Sequence, residues 1–134
     1  MAWDFDLDKP LYLQIVENIK LKIINGEYPP GERLLSVREL AAEAAVNPNT
    51  MQKALAELER IGLVYSQRTS GRYITDNTLL LKNLRYQSAQ QQMADYINSM
   101  HKLGFNSQQA VDLLLEYLQK NGEPNMDAPA ATDN

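Results

Sequence analysis

The sequence predicts a mainly α-helical chain carrying one small β-hairpin, with three helices before the hairpin and two after it. Three observations point there. Apolar residues recur with a helical period in five separate stretches. Two short runs rich in β-branched and aromatic residues, at 63–66 and 72–75, bracket a polar turn. And 44% of the 134 residues are apolar, enough to form a core and too many for wholesale disorder.

The first helix opens after Asp8, a candidate N-cap, with Pro10 in the first turn, where its missing N–H does no harm. Its stripe is Tyr12, Ile15, Val16, Ile19 and Ile23, and Asn25-Gly26 closes it. Tyr28-Pro29-Pro30-Gly31 then forms a fixed turn. Ser36-Val37-Arg38-Glu39 reads as a capping box at the head of a short helix that buries Val37, Leu40, Ala41 and Ala44. The break comes at Val46-Asn47. Asn47 caps a third helix and Pro48 fills its first turn; the stripe is Met51, Ala54, Leu55, Leu58 and Ile61, and Gly62 is the stop. Two helices joined by so tight a turn, with complementary apolar faces, make a helix-turn-helix. Leu63-Val64-Tyr65-Ser66 and Arg72-Tyr73-Ile74-Thr75 pair as strands across Gln67-Arg68-Thr69-Ser70-Gly71. That hairpin is a wing, so residues 9–77 are expected to be a winged helix-turn-helix.

From about Leu79 the pattern changes. Met93, Ile97, Met100 and Leu103 mark a long helix closed by Gly104. Asn106 or Ser107 caps another, with Val111, Leu114, Leu115 and Leu118 on one side and Ala110, Leu113 and Tyr117 on the next. One antiparallel partner would not cover that much apolar surface. Residues 78–122 are therefore expected to be a two-helix dimerisation segment, with Met93, Ile97, Met100, Val111, Leu114, Leu115 and Leu118 at the subunit interface. The tail 123–134, rich in Ala, Pro, Asp and Asn, has almost nothing to bury and is expected to be disordered.

Composition removes several function classes. There is no cysteine, which excludes disulfides, thiolate metal sites and a cysteine nucleophile, and fits a reducing cytoplasm. The acidic N-terminus is no signal peptide, and no apolar run approaches the roughly 20 residues that span a bilayer. A soluble, cytoplasmic chain is expected. His101 stands alone among scattered carboxylates, so no metal or other cofactor is expected. No serine has a histidine–carboxylate partner in prospect and no phosphate-binding glycine loop occurs, which argues against an enzyme. Asp112 and Glu116, one turn apart, read as solvated surface.

The stretch 10–75 resembles the DNA-binding domain of the GntR family of bacterial repressors. The residues that carry the resemblance are Gly31-Glu32-Arg33-Leu34, Ser36-Val37-Arg38-Glu39-Leu40-Ala41, Val46-Asn47-Pro48-Asn49-Thr50, Ala54-Leu55-x-x-Leu58 and Gly62-Leu63-Val64. Val-Asn-Pro-Asn-Thr and the short two-helix C-terminal part look like the YtrA subfamily. Leu35 stands where the family usually has proline, and Thr69-Ser70-Gly71-Arg72 where Gly-x-Gly-Thr is commoner. The resemblance implies that Arg38 contacts phosphate or a base. It further implies that Asn49, Thr50, Gln52 and Lys53 form the exposed start of a recognition helix, and that Arg68 and Thr69 approach the minor groove.

The residues themselves fit that chemistry. Amide side chains pair with adenine and lysine with guanine in the major groove, while Thr50 and the early N–H groups suit a phosphate. Ser36 and Asn47 join the expected DNA-binding set at the two helix starts, Asn47 reading first as an N-cap. Arg72 has two readings, DNA contact or pairing with a nearby carboxylate. The expected partner is double-stranded operator DNA, bound by a homodimeric repressor at an inverted repeat. An effector of unknown identity is left open, since adaptable methionines leave room for a small pocket. Net charge cuts the other way: it is −4, and residues 1–78 carry nine Lys/Arg against eleven Asp/Glu. DNA binding thus requires the cations on one face. The alternative reading is a winged-helix protein-interaction module without specific DNA binding.

Overall fold

The computed structural model describes residues 3–124, and those residues form five helices and one two-stranded antiparallel sheet. The last ten residues of the expected disordered tail lie outside the described residues. None of the described helices is long and apolar enough to cross a membrane.

Helix α1 (Leu11–Ile24) buries Ile15, Val16, Ile19, Ile23 and Ile24. Its start differs from the sequence expectation. Pro10 occupies the N-cap position and its carbonyl accepts the first helical bond, from the Gln14 N–H at 3.4 Å, so Asp8 lies too early to cap. Gln14 organises the entry instead. Its Oε1 accepts from the Asp6 N–H at 2.7 Å, and its Nε2 donates to the carbonyls of Asp6 at 2.8 Å and Lys9 at 3.1 Å.

Helix α2 (Val37–Ala44) opens on the expected capping box: the Glu39 N–H donates to Ser36 Oγ at 3.1 Å and the Ser36 N–H to Glu39 Oε1 at 3.0 Å. It ends at Ala45, a non-glycine residue in the left-handed region at φ 59° and ψ 48°. Val46 N–H closes back to the Ala41 carbonyl at 2.9 Å and Ala45 N–H to the Ala42 carbonyl at 3.2 Å, satisfying two helix-end acceptors. A side chain in that conformation costs about 1–2 kcal/mol. Ala45→Gly should therefore raise stability by roughly 0.5–1 kcal/mol once glycine's looser unfolded chain is counted. A lower thermal midpoint would show that the turn is held for some other reason.

Helix α3 (Pro48–Arg60) begins three residues after Ala45 and buries Met51, Ala54, Leu55 and Leu58. Ile61, expected in that stripe, is 36% exposed. The helix has already ended there, and the turn through Gly62 (φ 86°) swings Leu63 into the core in its place. Strands β1 (Val64–Gln67) and β2 (Gly71–Ile74) pair with Val64 opposite Ile74 and Ser66 opposite Arg72. The segment after the proline turn runs along the other edge of β2. Gly31 N–H donates to the Ile74 carbonyl, Ile74 N–H to Glu32 and Leu34 N–H to Arg72, at 2.8–3.0 Å.

One core unites α1, α2, α3 and the sheet, and it takes in more than residues 9–77. Trp3 and Phe5 pack against it from the N-terminal side; Leu81 and Leu84 do so from the first turns of α4 (Thr78–Lys102). Beyond those turns α4 leaves the core and meets α5 (Ser107–Asn121). There Ala110 is fully buried and the Tyr96 hydroxyl donates to its carbonyl at 2.7 Å. Asn106 caps α5 through a second capping box, with Gln109.

Candidate nucleic-acid interface

Because α3 is fixed to the core through Met51, Ala54, Leu55 and Leu58, its remaining positions are set by helical geometry. Asn49, Gln52, Lys53 and Ala56 are exposed, and Thr50 is half-buried. Asn47 serves as the cap of the helix, its Oδ1 accepting from the Asn49 N–H at 2.8 Å. That oxygen is occupied, so what Asn47 can offer outward is its amide group. Lys53 leans back over α1, its Nζ 3.9 Å from the centroid of the Tyr12 ring, a contact worth about 0.5–1 kcal/mol at an exposed site.

At the start of α2, Arg38 is exposed and makes no hydrogen bond or ion pair with any other described residue. Ser36 is exposed too. Its oxygen accepts the Glu39 N–H within the capping box, and its hydroxyl also bears on the Glu39 carboxylate. Arg68 and Thr69 are exposed at the tip of the wing.

Two arginines stand where the sequence does not show them. Arg33 lies across the wing turn: a Cβ on Gly71 would come within 3.3 Å of its Nε, and Gly71 sits at φ 104°, a backbone conformation that favours glycine. Only the pairing of residue 33 with Tyr73 of β2 brings it there. The signal lay in Leu34, an apolar residue whose burial turns Arg33 outward along an extended segment. Arg72, by contrast, is turned inward. Its Nε donates to Glu59 Oε1 at 2.7 Å, and the same oxygen accepts from Ser66 Oγ at 2.5 Å. Of the two readings of Arg72, the structure places the carboxylate partner beside it, on α3 and not on a strand.

The acidic residues are largely engaged or remote. The Ser66 hydroxyl, followed by Arg72, holds Glu59 below the usual carboxylate range. The Ser36 N–H and then its hydroxyl do the same for Glu39, and Arg60 does so for Glu57. Glu27 pairs with Lys22 at 3.8 Å, and Lys22 Nζ lies 4.0 Å from the Trp3 ring centroid. Nearby Tyr28 is pushed up to about 12 by burial first and then by Glu43 and Glu27. Asp4, Asp6 and Glu17 line a groove of about 530 Å³ with Leu13 and Leu21 on the outer side of α1, away from α3.

Among the described residues no three His, Cys, Asp or Glu side chains gather as a metal site. His101 Nε2 instead meets Ser107 Oγ at 3.0 Å in the turn between α4 and α5. In that hairpin, α5 faces α4 through Ala110, with Leu113 and Leu118 half-buried, and leaves Val111, Leu114 and Leu115 uncovered. On α4, Met93 is exposed, while Ile97 and Met100 are half-buried.

Residues 11–74 match the family described as bacterial regulatory proteins, gntR family. The chain is 32% identical over 108 residues to an uncharacterized HTH-type transcriptional regulator, YhcF, of Bacillus subtilis, covering 81% of this chain and 89% of that one. It is 46% identical over 68 residues to the HTH-type transcriptional repressor YtrA of the same organism, about half of each chain. Among solved structures, a GntR family transcriptional regulator from Listeria monocytogenes superposes with a TM-score of 0.76 at 40% identity, over 84% of this chain and 98% of that one. A transcriptional regulator from Oenococcus oeni gives 0.71 at 30% identity, over 88% and 97%.

Proposed function

The chain belongs to the GntR family of bacterial regulatory proteins, as a DNA-binding transcription regulator and not an enzyme, and on that premise we propose that it is a homodimeric repressor of an inverted-repeat operator. The observation that carries this reading is the pairing of two exposed elements. Asn49, Gln52 and Lys53 open the recognition helix, and Arg38, with no partner among the described residues, stands at the head of the helix before it. In this reading α3 enters the major groove, Gln52 and Asn49 read base edges, and Lys53 leaves Tyr12 for a guanine. Arg38, Ser36, Thr50 and the helix N-termini take phosphates, and Arg68 and Thr69 bring the wing to the minor groove. Residues 9–77, extended by the Leu81 turn, act as the reading head. Residues 78–122 join two heads through Met93, Ile97, Met100, Val111, Leu114, Leu115 and Leu118.

Repression follows from occupying a promoter, in the cytoplasm where the DNA is. An inducing ligand would act by binding one head-to-head spacing better than another. The net charge of −4 favours the competing reading, a winged helix that docks on proteins.

Selection of bound fragments from the source genome tests the proposal. It should return an inverted repeat with half-sites about 10 bp apart or somewhat more; no enrichment would favour docking. On the selected operator, Arg38→Ala should weaken binding to all sequences alike. Gln52→Ala should relax preference at one base pair, by about 1–3 kcal/mol. An unchanged base preference in Gln52→Ala would mean that α3 is turned differently in the groove.

A further inference from the structure

We propose that Glu59 is the positioning residue of the wing, gripping both strands of the hairpin from the recognition helix and retiring Arg72 from the DNA surface. This rests on the DNA-binding reading above, and it adds a role that the reading does not assign.

The geometry is specific. Glu59 is the penultimate residue of α3, seven positions after Gln52 and hence on the same flank, about two turns further on. A single carboxylate oxygen accepts from Ser66 on β1 and from Arg72 on β2. Ser66 and Arg72 are direct partners in the strand register, so both strands are held at one level, between the core end of the hairpin and its tip. The site is half-sheltered: the Arg72 side chain is 20% exposed and that of Glu59 is 32% exposed. A charge-assisted pair with an added hydroxyl donor has a defined direction, unlike a long surface ion pair. Elsewhere the short hairpin meets the body through the edge of β2 and the buried Val64 and Ile74. Those contacts hold the outer edge of β2 as far as Arg72, whose carbonyl accepts from Leu34 N–H, and leave the α3 side and β1 to Glu59. The Glu59 grip fixes its heading, and so where Arg68 and Thr69 arrive when α3 is in the groove.

Simple electrostatics predicts the opposite sign for a carboxylate near DNA. Removing an anion should strengthen binding to any sequence, and freeing an arginine should strengthen it further. Positioning predicts a split: operator binding falls while binding to unrelated DNA holds or rises.

The experiment measures full-length wild type, Glu59→Ala and Arg68→Ala, and the double variant, on the selected operator and on a scrambled fragment. Glu59→Ala should lose about tenfold on the operator and nothing on the scrambled fragment. The loss caused by Arg68→Ala should shrink in the Glu59→Ala background, although no contact joins the two side chains in the structure. Hydroxyl-radical protection of the minor groove should fade while major-groove methylation protection persists. Equal or tighter operator binding by Glu59→Ala, or an Arg68 loss that stays fully additive, overturns the assignment. Should Glu59→Ala fail to fold, Ser66→Ala removes one arm of the grip from an exposed position and should show the same coupling in weaker form. A wild type that prefers no fragment overturns the DNA-binding reading itself. A wild type that selects an operator, with a Glu59→Ala variant that binds it equally well, overturns only the role of Glu59.

Discussion

Raising the salt from 50 to 200 mM should weaken operator binding by about 10³–10⁵-fold. The size follows from counterion release, which depends on how many phosphates the protein neutralises and not on its overall charge. In the proposed complex four exposed side chains per protomer would supply them: Arg33 over the wing turn, Arg38, Lys53 and Arg68. The proposed dimer would present eight, within the roughly 6–10 contacts that give such a slope. In this reading the net charge of −4 does not cancel them, because Glu57 and Glu59 are paired with Arg60 and Arg72, and Asp4, Asp6 and Glu17 line the outer side of α1. It should show instead as slow association at low salt, since long-range steering responds to the whole molecule. A titration across this salt range in which affinity stays flat would remove the phosphate contacts and leave protein docking as the function.

Leu114→Asp should convert the proposed dimer to monomers and lower operator affinity by about 10²–10⁴-fold, the advantage that a linked second head confers. Leu114 is 44% exposed and Leu115 55% exposed in the single chain, so an aspartate there meets water in the protomer and costs its fold little. Across a subunit interface the same aspartate would be a buried, unpaired charge. That asymmetry separates the two explanations of an apolar surface. Sedimentation should give a folded monomer with unchanged helical content; an intact dimer would move the interface off α5.

What was legible in the sequence was local. Ser36 and Glu39 are three residues apart, and Asn47-Pro48 are neighbours, so the chemistry that starts α2 and α3 could be read directly. The buried stripe of α1 followed from spacing, and so did the two strands, each displaced by one residue to 64–67 and 71–74. Misreadings came where a distant or backbone partner decides. Helix α1 has no side-chain cap, and Gln14 instead ties down the segment before it, because a long amide can reach three backbone groups at once. Ile61 turns outward because the helix stops one residue sooner than its stripe. Ala45 adopts a glycine-like conformation with no glycine to announce it. Within the site, Arg72 could not be resolved because Glu59 lies 13 residues earlier on another element, and Arg33 joins the wing through a strand edge that no periodicity reveals.

Helix α4 runs unbroken for 25 residues, about 37 Å, with its first turns bonded into the head and its last turns into the α5 hairpin. Between them it runs past Glu17 and Lys20 of α1 as far as Gln92, and an unbroken helix transmits angle as well as distance. Each residue added to its middle would turn the joining surface by about 100° relative to the reading helix, so one extra residue throws the two heads out of phase, while seven bring them back to within about 20°. If two such heads share one operator, as proposed, the length of this helix is a setting of rotation against the pitch of that double helix.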